Sequence, residues 1–537
     1  MAFPSVSPAE VRTMLRDGGE MALLDVREEG VFSDDGHPFF ANSVPLSRLE
    51  LLIRDLVPRP LTRIVLLDGG GQGLAERAAT TLARMGYRDV AVMAGGARGW
   101  AAAGFELFTG VNVPSKAFGE LVEHRCHTPH IAAAELKRRL DAGEEVLIVD
   151  SRPLPEFRNM SIPGAFDCPG AELVYRVPDR LRSPDSLVVV NCAGRTRSII
   201  GAQSLRNAAL PNPVMALENG TMGWELAGLD LARGRDDALP PPSPAGLAQA
   251  RALADGVAQR FGVGRIDDAA LARFTAEAGE RTLYLFDVRS PEEYAAGHLA
   301  GARSAPGGQL VQATDAYMAT RNPRIVLVDD DGVRAVMTGS WLKQMGWPEI
   351  YVLDGGLTGR PLVQGVEAAA VPELNQAHVA TVSPAELKEL LDQGAAAVID
   401  LAPSIAYEGG HIPGAWFAVR ARLPGSLERV PKRRVLALTS PDARLARLAA
   451  ADLAEARLES GGSAEIRVLG GGTAAWRNAG LPLATGREAM ADTPDDCWRR
   501  PYDPYAGEGA RERYLRWEIE LVHQLEREGD VGFRVPG

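Results

Sequence analysis

The chain has 537 residues, 46% hydrophobic and 24% charged, with 58 Lys and Arg against 70 Asp and Glu and a net charge of -12. That length suits roughly three to five domains, and the acidic balance argues against nucleic acid or an anionic membrane as partner. Four scattered cysteines make no disulfide framework, and no apolar run approaches the roughly 20 residues of a membrane span, so the expectation is a soluble, cytoplasmic protein.

The N-terminal stretch MAFPSVSPAE has neither a basic region nor an apolar core and reads as no signal peptide. From there one pattern begins that occurs four times. The first copy opens with an amphipathic helix, VSPAEVRTMLRDGG, then a short strand ending at Asp25, ALLDVR. A degenerate turn, GVFSDDGHPFFANSVP, leads to a second apolar strand, RIVLLD, a helix, and a last strand that runs into glycines, VAVMAGGARGW. The connector GVNVPSKAFGELVEHRCHTPH follows. Its His124, Cys126, His127 and His130 fit no standard zinc spacing, so an ordinary interdomain connector without metal is expected.

The second copy repeats the order: HIAAAELKRRLDAGE, VLIVDSR ending at Asp150, PEFRNMSIPGA, SLVVVNC and PVMALENGTMGW. A Pro-rich, then helical connector, DALPPPSPAGLAQARALADG, separates the copies into two tandem pairs. The third copy carries LYLFDVR (Asp287), EEYAAGHLAGA, RIVLVDD and IYVLDGGLTG; the fourth carries AAVIDLA (Asp400), YEGGHIPGA, RVLALTS and IRVLGGGTAAW. Apolar strands alternating with helices predict parallel sheets covered on both faces, and each copy is about one domain long. The expected limits are 1-112, 113-236, a linker over 237-262, 263-370, 371-486 and a tail over 487-537. In the tail, Tyr514, Trp517, Leu521 and Leu525 share one side of a predicted helix, which is expected to pack on its own protein, with a homodimer contact as the rival.

One strand end carries chemistry. In VVVNCAGRTRSIIGAQSL the apolar run stops at Cys192, and two arginines precede the next helix. Amides of Ala193, Gly194, Arg195, Thr196, Arg197 and Ser198 that turn inward would form an anion nest, reinforced by the N-terminus of the following helix. With Arg195 and Arg197 adding positive charge, the loop is expected to favour the Cys192 thiolate and to hold an anionic substrate against it.

These residues resemble the rhodanese (sulfurtransferase) family: the strand–loop–helix with C-x4-R spacing, the strand ends of DxR type, the GHIPGA-like stretches and the glycine-rich closures. The resemblance runs to about Gly486. It implies an α/β fold of four tandem rhodanese-like domains, each a parallel five-stranded sheet flanked by helices, plus a helical tail. It also implies transfer of sulfane sulfur from a donor such as thiosulfate, through a persulfide on Cys192, to a thiol or cyanide. The loop from Ala193 to Ser198 would then stabilise the sulfur, with Arg195 and Arg197 binding the anionic donor; no cofactor is implied.

Loop length separates the rivals. Dual-specificity phosphatases of the same fold resemble C-x5-R, where this chain has Ser198, so phosphatase or arsenate reductase chemistry is disfavoured. Mercaptopyruvate sulfurtransferases resemble CG[SA]GVT, and CAGRTR departs from that toward a doubly charged donor. A scaffold that relays sulfur to a protein acceptor is the alternative from another class. The other copies hold Asp68, Asp329 and Ser440 where the second holds Cys192, with Arg334 in register in the third copy and Arg444 nearby in the fourth; they are expected to be inactive. Arg158 and Arg176 are candidates to reach the Cys192 pocket, Asp150 and Arg152 a structural pair, and Cys168 a candidate resolving thiol.

Overall fold

Each copy supplies five strands, and the short ones stand at the sheet edges because only the central ones are buried on both faces. The computed structural model describes residues 3–366, 370–376, 379–460 and 464–536. Among these, four five-stranded parallel sheets form, each with the order first, fifth, fourth, second, third strand of its copy. In the second copy the strands are His130–Ile131, Val146–Asp150, Phe166–Asp167, Leu187–Asn191 and Val214–Leu217. The central strand Leu187–Asn191 is buried throughout, as the apolar run predicts for a strand covered on both faces. Its neighbours place Asp150 beside Asn191 in register.

The aspartate that ends the second strand of each copy has a structural role. Arg27, Arg152 and Arg289 pair with Asp25, Asp150 and Asp287 at 2.6, 2.7 and 2.7 Å, and each arginine also donates to a backbone carbonyl, of Gly36, Met160 or Gly297. Such a paired, hydrogen-bonded ion pair is the form in which buried charge is tolerated. The fourth copy lacks the arginine, and there burial pushes the Asp400 carboxyl up to about 6.

The copies pack in pairs through equivalent segments. Gly170–Glu172 of the second copy faces Gly307–Gln312 of the third; a Cβ on Gly308 would meet the Gly170 backbone at 2.9 Å, and one on Gly307 would meet Thr338 Oγ1 and Ala171 Cβ. Leu46–Arg48 of the first faces Arg420–Arg422 of the fourth, where Arg420 holds Glu50 at 2.7 Å. The helix Pro244–Phe261 forms the linker between the two halves. The tail forms the helix Ala510–Glu528, which lies along Val113–Cys126, the helix that leads into the second copy.

Candidate active site

Cys192 follows the strand Leu187–Asn191 directly, and the helix Thr196–Asn207 begins four residues later. The loop between them is held by its carbonyls. Thr221 N–H donates to Cys192 O at 2.9 Å and Met222 N–H to Ala193 O at 3.0 Å. Gly220, at φ +57°, makes this closure possible, since a Cβ there would stand 2.3 Å from Cys192 O. The same glycine stands against the corresponding carbonyl of Asp68, Asp329 and Ser440 as Gly96, Gly356 and Gly472. The GG-type closures of the sequence are therefore the clamps of the loop.

With carbonyls tied outward, amides face the side chain at the loop's start. The amide six residues on is the recurring donor. Ser198 N–H bonds the Cys192 sulfur. Leu74 N–H donates to Asp68 at 3.1 Å, Ala335 N–H to Asp329 at 2.9 Å and Ala446 N–H to Ser440 at 3.3 Å. Asp68 also accepts from Gly70 N–H and Asp329 from Gly332 N–H, both at 2.7 Å. In the first and third copies a carboxylate thus fills the anion cradle from within; in the second copy a sulfur does.

The Cys192 sulfur lies 3.6 Å from Ser198 Oγ, whose own hydroxyl donates to Arg195 O at 2.7 Å. Its residue is only 2% exposed. This corrects one expectation: the site does not simply favour thiolate. Burial pushes the thiol up from its ordinary value, while Arg197, the Ser198 hydroxyl and the Ser198 amide pull the other way and Glu518 adds to the rise.

The two loop arginines do not act alike, which is a second correction. Arg197 stays beside the thiol, gripping Glu156 in a two-pronged pair at 2.8 and 3.0 Å and reaching Gln309 of the third copy at 3.2 Å. Although burial opposes ionisation of Glu156, Arg197 holds its carboxyl down at about 2. Arg195 turns instead to the helix Val113–Cys126, where it pairs with Glu120 at 2.8 Å and with Glu123, and it touches Asn219. It fixes that helix to the loop.

Arg158 and Arg176 do not join the loop. Arg158 is 52% exposed and paired with Asp236. Arg176 is engaged by Glu172 and the carbonyl of Leu239. Cys168 is a buried free thiol beside Glu172 and Arg176, pushed well above its ordinary value by burial. Cys126 donates to the Pro536 carbonyl at 3.5 Å, and His130 faces Glu123.

The roof over the loop comes from the tail. A methyl built on Gly194 would meet Met222 Cε at 2.9 Å, Glu518 Oε2 at 3.1 Å and Tyr514 Cε1 at 3.4 Å. Glu518 Oε1 accepts from Tyr514 OH at 2.8 Å and from Thr196 Oγ1 at 3.2 Å. Below it the Lys116 ammonium sits 4.8–4.9 Å from the ring centres of Trp498, Tyr514 and Trp517. Tyr502 completes this side near Arg197 and Glu156. Gln309, Lys116 and Glu518 carry no motif, and Glu156 lies in the PEFRNMSIPGA stretch, whose pattern names no partner for it. Only the helical spacing of Tyr514 and Trp517 announced a packed face, without saying against what.

The rhodanese-like domain model matches residues 7–103, 132–227, 270–359 and 383–479. A crystal structure of the thiosulfate sulfurtransferase from Pseudomonas aeruginosa is 47% identical, with a TM-score of 0.94 over 99% of this chain and 100% of that one. Shorter matches are local. The HTH-type transcriptional regulator Rv0324 of Mycobacterium tuberculosis is 37% identical over 105 residues, 19% of this chain and 45% of that protein. The uncharacterised protein YqhL of Bacillus subtilis is 39% identical over 79 residues, 15% of this chain and 61% of that protein. The chain therefore spans about half the length of these two curated relatives. Four matched segments, four equivalent sheets and four equivalent loop clamps agree that the chain belongs to the rhodanese-like family, as four tandem domains.

Proposed function

We propose that the protein is a sulfurtransferase whose second domain carries sulfane sulfur on Cys192, from an anionic donor such as thiosulfate to a thiol or cyanide acceptor. The observation that carries this reading is the contents of the four equivalent cradles: two carboxylates, one hydroxyl and a single sulfur, at Cys192. The likeness over the whole chain to a thiosulfate sulfurtransferase supports the donor class. The four scattered cysteines fit a reducing, cytoplasmic setting.

In the first half-reaction the Cys192 thiolate attacks the sulfane sulfur of thiosulfate. The S–S bond breaks, and sulfite leaves with the electron pair. The Ser198 amide and the Arg197 guanidinium stabilise the charge on the cysteine sulfur. In the second half-reaction the acceptor bonds to the outer sulfur, and the pair of the broken S–S bond returns to Cys192. Thiosulfate is expected to add one sulfur, about 32 Da, to the wild type and none to Cys192→Ser, as a one-sulfur covalent intermediate requires. Serine variants of Cys126, Cys168 and Cys497 should retain most of the loading. Intact mass spectrometry reads all four, and an adduct on Cys192→Ser would move the chemistry elsewhere.

A further inference from the structure

The roof of the site contains a charge that the sulfur-transfer steps do not use. Glu518 is 2% exposed, and among the described residues only one of its carboxylate oxygens is hydrogen-bonded. The other, Oε2, is buried with no hydrogen-bond partner among them and stands against Gly194 at the mouth of the cysteine loop. A carboxylate oxygen left unpaired in a buried place costs free energy unless something else uses its field. Among the described residues no neighbour hydrogen-bonds this oxygen. Arg197 grips Glu156, and Arg195 grips Glu120 and Glu123. Lys116, lowered by burial to about 8 against the pull of Glu518, remains a cation at neutral pH but faces the rings of Trp498, Tyr514 and Trp517.

We infer that Glu518 sets the charge preference of the donor site: its free carboxylate oxygen, aimed at the cysteine loop from the tail helix, disfavours a dianionic sulfane donor relative to a monoanionic one of the same shape. The inference rests on the sulfurtransferase reading and adds a determinant of donor class to it. Thiosulfate and methanethiosulfonate form a matched pair, since one oxygen anion of the first is a methyl group in the second. Both donors react by attack of Cys192 on the terminal sulfur. Sulfite leaves in one case and methanesulfinate in the other, each taking the electron pair of the broken S–S bond.

The carboxylate is an observed tenant of this part of the fold. Asp68 and Asp329 occupy the cradles of the first and third copies, where an anion from outside has no room. Glu518 differs in coming from above the loop, by way of a helix more than 300 residues away in sequence. It leaves the thiol in place and acts on what approaches it.

The test is the ratio of kcat/KM for methanethiosulfonate over that for thiosulfate in the wild type, Glu518→Gln and Glu518→Asp. Removing the charge should shift the ratio toward thiosulfate by roughly tenfold or more, because it removes a like-charge juxtaposition from the binding site. Glu518→Asp keeps the charge and should keep the wild-type preference. An unchanged ratio in Glu518→Gln, or an equal shift in Glu518→Asp, overturns the inference. A second measurement needs no sulfur transfer: the rates at which iodoacetate and iodoacetamide alkylate Cys192, read by peptide mass mapping. Glu518→Gln should raise the rate of the anionic reagent relative to the neutral one, and an unchanged ratio counts against Glu518. Failure of both donors to load Cys192 in the wild type would remove the sulfurtransferase reading, while the alkylation ratio would still decide the role of Glu518.

Discussion

At the scale of single residues, position within a loop decides what an arginine does. Arg195 and Arg197 are two residues apart, yet the turn from loop into helix sends them to opposite partners. Arg197 faces one carboxylate and the thiol, so it retains capacity for a donor anion. Arg195 closes on Glu120 and Glu123 and retains little. Arg197→Ala is therefore expected to weaken transfer from thiosulfate by about 10- to 150-fold, the worth of a charge-assisted contact of roughly 1.5–3 kcal/mol. Arg195→Ala should instead lower the melting temperature while leaving the KM for thiosulfate nearly unchanged, because it strands two carboxylates on the helix Val113–Cys126. Steady-state kinetics with a thermal melt separates the two, and matching kinetic losses would count against the division. The sequence reading found the thiol, the cradle and both guanidiniums, because they lie within seven consecutive residues. It gave both arginines one role, because a linear pattern carries no direction for a side chain. Arg158 and Arg176 were attractive by charge alone, and nearer carboxylates claim them.

At the scale of elements, the tail helix and the connector helix form one unit over the site. The helical spacing of Tyr514, Trp517, Leu521 and Leu525 correctly predicts an element and a packed side, since periodicity is local. Its partner, Val113–Cys126, lies almost 400 residues earlier and is invisible to a reading of either segment. Their shared feature is Lys116, boxed by Trp498, Tyr514 and Trp517. Burial lowers its ammonium from the ordinary 10.5 to about 8, against the pull of Glu518 and Asp315. Between these values the folded state binds fewer protons than the unfolded chain, so the Lys116 contribution to stability rises with pH across this window. Below about 8 the cost of the buried charge is fully present, and above 10.5 it is gone. Lys116→Met keeps the volume without the charge. It should be more stable than the wild type at pH 7, with the gap closing as the pH approaches 10. Melting temperatures of both proteins across that range check this, and a gap that widens with pH would mean that the cation–π contacts outweigh burial.

At the scale of the whole molecule, four copies of one fold have diverged in what they put into the same cradle. The repeat itself was fully legible, since strands, helices and glycine clamps recur in order, and the four sheets repeat one topology. The linker suggested two tandem pairs, yet the second copy packs on the third and the first on the fourth, because pairing depends on surfaces such as Gly307–Gln312 against Gly170–Glu172. That pairing also settles the fate of Arg334, which occupies in the third copy the place of Arg197. Arg334 is fully buried and paired with Glu172 of the second copy and with Glu293, Asp330 and Asp331 of its own. Arg197, by contrast, pairs with Glu156 and meets the neutral Gln309 across the same interface. A thiol placed in the third cradle would therefore face an excess of carboxylates, which disfavours both its ionisation and the approach of an anionic donor. In a Cys192→Ser background, Asp329→Cys is expected to take up no sulfur from thiosulfate, although the Ala335 amide still faces it. Asp68→Cys should be equally silent, since the loop GGGQG brings no cation. Adding Asp330→Asn and Asp331→Asn to Asp329→Cys should restore measurable loading, read as a gain of about 32 Da by intact mass, because it leaves Arg334 two fewer carboxylates to neutralise. Robust loading of Asp329→Cys alone would show that the clamped loop suffices, and that the charges around it are not what confines sulfur to the second domain.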